Sequence, residues 1–201
     1  RRLKEIYLPP IVLFYKGELS LLNERLVALV GSREHSNYAK QCTKTIVQDL
    51  VQKKIGIISG LAKGVDSLAH LECLKDDGKT IAVIGSGLDV IYPPENANLY
   101  KVIGEKGLII SEYPLGSRPL KFHFPERNRI IAGLCRGVIV AEAKMRSGSL
   151  ITCERAMEEG RDVFAIPGSI LDGKSDGCHH LIQEGAKCIM SGSDVLSEFD
   201  F

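Results

Sequence analysis

The sequence predicts an α/β fold, and three features carry that prediction. Continuous apolar runs rich in branched residues recur along the 201 residues, which is typical of strands buried on both faces. Amphipathic segments with helical spacing separate these runs. The connections between them are short, so the strands are expected to lie parallel, with helices packed on both faces of the sheet. The expected architecture is a single Rossmann-like domain with a mostly parallel sheet.

The first half of the chain alternates strand and helix. Residues 10–15 (PIVLFY) indicate an edge strand or an extended arm, and Leu26–Gly31 (LVALVG) indicates the first fully buried strand. An amphipathic helix is predicted over Ser36–Lys54. The elements predicted next are a strand at Ile55–Ser59, a helix at Val65–Lys75, a strand at Thr80–Gly85 and a helix at Glu95–Lys106.

The same alternation continues to the end of the chain. Strands are predicted at Leu108–Ser111, Val138–Glu142 and Asp162–Ile166, with helices at Pro125–Gly133 and Ser149–Glu159. The tail is expected to hold a short helix at Cys178–Glu184, a strand near Lys187–Met190 and a last helix at Ser193–Phe199. We see no internal repeat and no low-complexity linker.

Domain organisation is expected to be simple. We predict that residues 1–25 form an extended N-terminal lead-in packed on the core, and that residues 26–201 form the Rossmann-like core domain. The lead-in is not expected to be a secretory signal, because Glu5 and Pro9-Pro10 interrupt its apolar residues. The start at Arg1 suggests a missing N-terminal segment. No apolar run reaches 18 residues, so no membrane span is predicted.

Charge and cysteine usage narrow the class of protein. The net charge is only +1, yet residues 118–161 hold nine Lys or Arg against five Asp or Glu. A local basic block in a near-neutral chain fits a bounded anion-binding face. The six cysteines are scattered and form no Cys-x-x-Cys pair, so free thiols in a reducing cytoplasm are expected.

The loops after the predicted strands are rich in small and polar residues. They comprise Gly31-Ser32-Arg33, Ser59–Gly64 (including Gly60 and Lys63), Gly85–Asp89, Ser111–Pro114 and Lys144–Ser149. Ligands of an open parallel sheet bind beyond the carboxyl ends of its strands, where these loops gather. Each loop leads towards a helix N-terminus, which favours an anion. The sequence therefore predicts a phosphate-binding pocket at this edge.

Arg33 is the first candidate for a phosphate contact. A dinucleotide site would require Gly-x-Gly-x-x-Gly where the chain reads GSREHS, so a nucleotide cofactor is not expected. The planar guanidinium of Arg33 suits a phosphate instead. A surface arginine paired with a carboxylate remains the alternative interpretation.

Residues 121–152 combine cations, aromatic rings and a small-residue turn, a pattern typical of single-stranded nucleic-acid binding. Lys121 and Phe124 lie three apart, so a turn would bring cation and ring together. An extended segment would send the Phe122 and Phe124 rings the same way. Of Arg127 and Arg129, we expect one to contact phosphate or an acidic loop and the other to be structural, because both cannot face one way on a helix.

Two other polar clusters are interpreted as structural. Asp66 and His70 lie on one helical face, and a structural pairing is preferred to acid–base chemistry because no nucleophile is evident. Cys178-His179-His180 contains metal-competent side chains, but no second cluster lies at ligand spacing. Neither a metal nor a cofactor is expected.

Several motifs resemble one family. VGSREHSNYA, SGLAKGVDSLAH, IAVIGSGLDVIYPPEN, ISEYPLGSRPLKFHFPERNRIIAGL, VAEAKMRSGSLIT and GRDVFAIPG, in this order and spacing, resemble the DNA-processing protein A (DprA or Smf) family. The resemblance runs from about Pro10 to the end of the chain. It implies a Rossmann-like core that binds single-stranded DNA, forms a homodimer, and protects incoming DNA and loads the RecA recombinase during natural transformation. A non-enzymatic, cytoplasmic protein is expected.

The resemblance also implies functional residues. The family's DNA-contacting arginine falls on Arg33, its lysine and stacking aromatic on Lys121 and Phe124, and its phosphate turn on Ser147-Gly148-Ser149. With these, the expected DNA-binding surface includes Gly31, Ser32, Gly60, Lys63, Arg127, Asn128 and Lys144. The dimer and RecA contacts are expected at Met157, His179, Ile182, Gln183 and Cys188.

Two alternatives stay open at the level of sequence. SGSLITCE loosely resembles the lysine-decarboxylase-like phosphoribohydrolases, in which Glu154 with Arg127 or Arg129 would form a catalytic pair. The Pro-Gly-Gly signature of those enzymes is missing before Ser147. The other alternative is a structural dimer with a vestigial pocket, associating through apolar residues of the tail such as Met190.

Overall fold

Eight strands form one sheet in the computed structural model, which describes residues 2–199. The strands are β1 Phe14–Gly17, β2 Leu26–Val30, β3 Gly56–Ser59, β4 Thr80–Ile84, β5 Leu108–Ser111, β6 Gly137–Val140, β7 Asp162–Ala165 and β8 Lys187–Cys188. The α-helices are α1 Asn37–Gln52, α2 Val65–Lys75, α3 Ala97–Lys106, α4 His123–Leu134, α5 Gly148–Glu158, α6 Asp176–Gln183 and α7 Gly192–Leu196. Short 3₁₀ helices cover Arg2–Lys4, Leu19–Asn23 and Pro94–Asn96.

The strand order is β1-β5-β4-β3-β2-β6-β7-β8. All neighbouring pairs are parallel except β1 with β5, where Phe14 lies opposite Ser111 in antiparallel register. From β2 the chain builds outward through β3, β4 and β5, and then returns to the other side of β2 with β6. The order of the strands thus reverses between β2 and β6, which is where open sheets of this kind bind ligands.

Both faces of the sheet are covered by helices. Along β2, Leu26, Ala28 and Val30 pack into one apolar cluster with α4, α5 and α6, while Val27 and Leu29 pack into another with α1, α2 and α7. Helix α3 covers β4 and β5 on the second face. Because alternate side chains of each strand enter different clusters, every position of a central strand must be apolar. The predicted fold class is confirmed.

The N-terminal residues lie against the core. Ile6 is buried, and its side chain, with that of Leu3, lies against Gly133 of α4. Leu21 is also buried in the cluster under α4. The predicted edge strand within residues 10–15 forms as β1, shifted towards Gly17.

Two properties bear on the class of protein. All six cysteines lie within the described residues, and each is a free thiol, as the scattered spacing predicted. Within residues 2–199, every helix falls short of the length and apolarity that crossing a bilayer requires.

Candidate functional site

A cavity of about 620 Å³ opens at the carboxyl ends of β2 and β6, where the strand order reverses. Eleven of the thirteen predicted DNA-binding residues line it. They are Gly31, Ser32, Arg33, Lys121, Phe124, Arg127, Asn128, Lys144, Ser147, Gly148 and Ser149. They come from three segments, residues 31–33, 121–128 and 144–149. Of the five loops predicted to gather here, Gly85–Asp89 and Ser111–Pro114 contribute nothing to the lining of this cavity.

The loop after β2 holds Arg33 at the rim of the cavity. The Ser32 N–H donates to the Glu142 carbonyl at 2.7 Å, and the Ser32 carbonyl accepts from the Val65 N–H at 3.0 Å. Gly64 permits this close approach, because its φ is +80° and an added Cβ would lie 2.2 Å from the Ser32 carbonyl oxygen. The backbone of the loop is thus fixed on both sides, while the Arg33 side chain is exposed.

The turn before α5 presents a helix N-terminus to the cavity. Ser147 is the N-cap residue, and its hydroxyl pairs with the Ser149 hydroxyl at 2.7 Å rather than with a backbone N–H of the first turn. Because the Leu150 N–H donates to the Ser147 carbonyl at 3.1 Å, the N–H groups of Gly148 and Ser149 are the ones that can bind an anion. Arg146, with φ of +62°, closes the turn, and exposed Lys144 lies at its start.

Phe124 forms an aromatic wall of the cavity. Its ring centre lies 5.7 Å from that of Tyr92, and the guanidinium carbons of Arg33 and Arg127 each lie 6.0 Å from its centre. Lys121, one turn earlier, is exposed and lines the same cavity. Lys121 and Phe124 thus line one cavity, while the cations that lie over the Phe124 ring are Arg33 and Arg127.

The prediction that the Phe122 and Phe124 rings point the same way is wrong. It assumed an extended segment, but α4 begins at His123, and residues two apart on a helix face nearly opposite directions. Phe124 turns into the cavity, whereas Phe122 is 58% exposed.

Arg127 lines the cavity, but its side chain is already hydrogen-bonded within the protein. Its guanidinium donates to the carbonyl oxygens of Gly60, at 2.6 Å, and of Val83, and its Nε donates to Asn128 Oδ1 at 3.2 Å. Burial lowers the Arg127 pKa to about 10, and the nearby Asp66 carboxylate opposes that shift. Arg129 instead donates from one nitrogen, Nη2, to both carboxylate oxygens of Glu112, at 2.7 and 2.5 Å. Arg129 therefore contacts the acidic loop, and Arg127 has a structural role, which agrees with the expected division between the two.

Asp66 and His70 do not form the predicted pair, because each bonds a more distant partner. Asp66 Oδ2 accepts from the Gly60 N–H at 3.2 Å, and burial raises the pKa of this carboxyl against the opposing charge of Arg127. His70 Nδ1 lies 2.6 Å from Thr80 Oγ1, which itself donates to the Ile57 carbonyl. The hydroxyl must therefore accept from His70, which places the proton on Nδ1.

The remaining two predicted residues, Gly60 and Lys63, line a smaller neighbouring cavity of about 260 Å³. Lys63 pairs there with Glu95. The residues that line both cavities are Arg33, Ala62, Tyr92, Phe124 and Arg127.

The residues predicted for the dimer and RecA contacts lie outside the lining of both cavities. Met157 is half exposed on α5, and Gln183 and Cys188 are exposed on and after α6. Ile182 is partly buried against the core, and His179 Nε2 lies 3.1 Å from the Gly168 carbonyl oxygen. These contacts remain predictions.

Sequence reasoning missed some of the lining. Tyr92, Asp66 and Thr152 were not named as site residues, yet all three line the larger cavity. The available signal for Tyr92 was its place in the Pro- and Gly-rich loop after β4, since loops at that edge carry the ligand contacts.

The catalytic pair that the phosphoribohydrolase alternative would require does not assemble. Glu154 is exposed on α5 and lies outside the residues that line either cavity. Arg127 and Arg129 are both bonded to other groups. The geometry gives no support to the phosphoribohydrolase alternative.

Comparison with known proteins agrees with the motifs. The family model for DNA recombination-mediator protein A matches residues 1–200. The DNA processing protein DprA of Streptococcus pneumoniae is 66% identical over 199 residues, which are 99% of this chain and 70% of that protein. The Bacillus subtilis protein of the same name is 46% identical over 197 residues, covering 98% of this chain and 66% of its own length.

Solved structures show the same fold. The X-ray structure of the Streptococcus pneumoniae protein superposes with a TM-score of 0.96 and covers all of this chain and 70% of that one. A structure of DNA processing protein A from Helicobacter pylori, described for its unique single-stranded DNA binding mode, is 32% identical with a TM-score of 0.91. It covers 98% of this chain and 91% of that one. On the family match and these identities, the chain belongs to the DNA recombination-mediator protein A (DprA/Smf) family.

Proposed function

We propose that this chain binds single-stranded DNA in the larger cavity, without catalysing a reaction on it. The observation that carries the proposal is the lining: the cations Arg33, Lys121 and Lys144 surround the Phe124 ring and the N-terminus of α5. Cations neutralise phosphates, and the ring stacks on a base. The relative from Helicobacter pylori, which has the same fold, is described as binding single-stranded DNA.

The cavity suits a single strand better than a duplex. Phe124 lies inside it, with Tyr92 packed against its ring, so a base must be unpaired and unstacked to reach that wall. Among the described residues of the lining, four cations stand against the one carboxylate of Asp66, which faces Arg127. The three cations other than Arg127 are exposed, and they provide the net positive charge for phosphate.

We further propose that the bound strand is protected and passed to the RecA recombinase by a cytoplasmic homodimer. Membership of the recombination-mediator family supports this role. The surface assigned to these contacts comprises Met157, His179, Ile182, Gln183 and Cys188. Gel filtration should give the mass of a dimer, and Met157→Glu, at a half-exposed side chain, should reduce it to that of a monomer.

The test of DNA binding is a salt titration with a fluorescent oligonucleotide. The affinity of wild type should fall steeply with salt and should be greater for a single strand than for the matching duplex. Arg33→Ala and Lys121→Ala should each weaken binding and reduce the slope of log K against log salt by about 0.7, the value for one phosphate contact on a single strand.

Lys79→Ala is the matched control, because Lys79 pairs with Glu24 outside both cavities. It should leave affinity and slope unchanged. Undiminished binding by the Arg33/Lys121 double variant would remove the cavity as the site. Release of bases from nucleoside monophosphates by the pure protein would contradict the absence of catalysis.

A further inference from the structure

An exposed aromatic ring lies immediately outside the larger cavity. Phe122 is 58% exposed, and its neighbour in the chain, Lys121, lines the cavity. Arg118, four residues before Phe122, is exposed as well. A cation that lines the DNA cavity is thus followed at once by a ring that contributes little to the core.

The Phe122 ring is held in place by a short ladder of aromatic rings. It meets the His123 ring edge-on, with centroids 4.6 Å apart and an angle of 81° between the planes. His123 is buried, lies with Nδ1 3.0 Å from the Gly85 carbonyl oxygen, and stacks on Tyr113 at 3.8 Å. The Tyr113 hydroxyl in turn donates to Glu126 at 2.9 Å. An exposed ring supported in this way loses little conformational freedom when a ligand stacks on it.

The ladder places Phe122 on the same edge of the sheet as the cavity. Gly85, which His123 contacts, follows β4, and Tyr113 follows β5. The His123 and Tyr113 rings therefore lie at the carboxyl ends of parallel strands. β4 and β5 lie two and three strands from β2. At about 4.8 Å per strand, the ladder stands roughly 10–15 Å from the crevice beside β2. Phe122 therefore lies on this edge next to Lys121, the cation at the boundary of the cavity.

We propose that Phe122 is a second stacking platform, which binds the base of a nucleotide next to those held in the cavity. Arg118 and Lys121 would neutralise the phosphates on either side of that nucleotide. This inference rests on the proposed binding of single-stranded DNA. Alternating cations and aromatic rings along a path favour a nucleic acid over a protein partner, although Leu115 and Leu120 in the same loop are also exposed.

The experiment compares wild type with Phe122→Ala and Phe122→Leu, using oligothymidylates of increasing length in fluorescence anisotropy. Phe122→Ala should leave the shortest oligonucleotides bound as in wild type and lower affinity for longer ones by about 5- to 150-fold, the range for loss of one stacked base. Phe122→Leu keeps the apolar bulk but has no π-face, and it should lose affinity for the longer oligonucleotides to the same extent. Phe122→Tyr should restore binding. The salt slope should not change, because no charge is removed.

A scan with single abasic sites locates the platform. At one position in the oligonucleotide, removing the base should weaken binding by wild type but not by Phe122→Ala. If abasic and Phe122 effects simply add at every position, or if Phe122→Leu binds like wild type, the platform does not exist. If the ring instead served a protein partner, Phe122→Ala would bind every oligonucleotide like wild type, which also overturns the inference.

Failure of this inference is distinct from failure of the proposed function. If Lys121→Ala weakens the binding of short oligonucleotides and Phe122→Ala changes nothing, the cavity remains the DNA site and only the second platform is excluded. Wild type that binds no single strand at low salt would remove both. Thermal unfolding of each variant checks that the fold is unchanged, as expected for an exposed ring.

Discussion

Arg127 donates to the Gly60 carbonyl oxygen at 2.6 Å, and this contact joins helix α4 to the loop after β3. The fit is close, since a Cβ on Gly60 would lie 2.4 Å from the Arg127 guanidinium. Asp66 accepts from the N–H of the same Gly60. A buried cation and a buried carboxylate thus hold the two peptide groups that flank Gly60, a residue of the smaller cavity.

Removing Arg127 should destabilise the protein strongly. Arg127→Ala leaves the Asp66 carboxylate buried without its opposite charge, which should lower the free energy of unfolding by about 3–5 kcal/mol in urea denaturation. Arg118→Ala, on an exposed side chain, should change it by no more than about 0.5 kcal/mol. Adding Asp66→Asn to Arg127→Ala should recover part of the loss. A loss below about 1 kcal/mol for Arg127→Ala would show that the pair is not structural.

His70 should make stability depend on pH. Burial, with a smaller effect from the Arg127 charge, lowers the His70 pKa to about 3 in the folded protein, against about 6.5 when unfolded. The unfolded state therefore binds the proton more readily, so the contribution of His70 is fully present above pH 6.5 and is lost as pH falls towards 3. The loss should approach 1.4 kcal/mol per pH unit.

The measurement is the difference between wild type and His70→Gln in urea unfolding at several pH values. Glutamine can still donate to Thr80 but does not titrate. Wild type should lose more stability than His70→Gln with each step below pH 6. His180→Gln, at an exposed histidine, should behave like wild type. Parallel curves for wild type and His70→Gln would contradict a neutral buried His70.

Gly148→Ala should separate stability from binding. A Cβ at Gly148 would meet no heavy atom within 4 Å, and alanine in a helix is favoured over glycine by about 0.5–1 kcal/mol. The melting temperature should therefore stay or rise, while affinity for single strands falls because the methyl group occupies space that a phosphate needs. Gly133→Ala provides the contrast, since its Cβ would lie 2.7 Å from Ile6 and should destabilise the fold. Unchanged affinity in Gly148→Ala would exclude close approach of a phosphate to this turn.

Phe124→Ala should weaken binding of single strands by about 1–3 kcal/mol, the range for one stacked base. Phe124→Leu keeps most of the apolar volume without the ring and should show a similar loss in anisotropy titrations, whereas Phe124→Trp should retain binding. Full affinity in Phe124→Leu would mean that the wall contributes shape and not stacking.

Hydrophobic patterning was enough to predict the elements of the fold, because every central strand is buried on both faces and must be apolar throughout. Leu26–Val30 is an example: its alternate residues enter different apolar clusters. The order of the strands could not be predicted, since it depends on contacts between segments far apart in sequence. The reversal of strand order beside β2, which creates the crevice, depends on such contacts.

The composition of the site was predictable, but the role of each residue was less so. Lys121 and Arg127 are cations in one basic stretch, yet the first is exposed and the second is buried against Gly60 and Val83. The difference depends on contacts with distant segments: Lys121 lies in the turn before α4, whereas Arg127 lies within α4 and reaches carbonyl groups of Gly60 and Val83. The partner of His70 was missed for the same reason, because Thr80 lies on a separate strand.

The two ends of the sheet restrict how copies of the chain can associate. β8 has only two residues, and β1 has four, with Lys16 among them. So short a row of free backbone groups, with a lysine in one of them, is a poor template for another strand. Continuous sheets across molecules are thereby disfavoured, so a high local concentration of the chain carries little risk of fibrous aggregation.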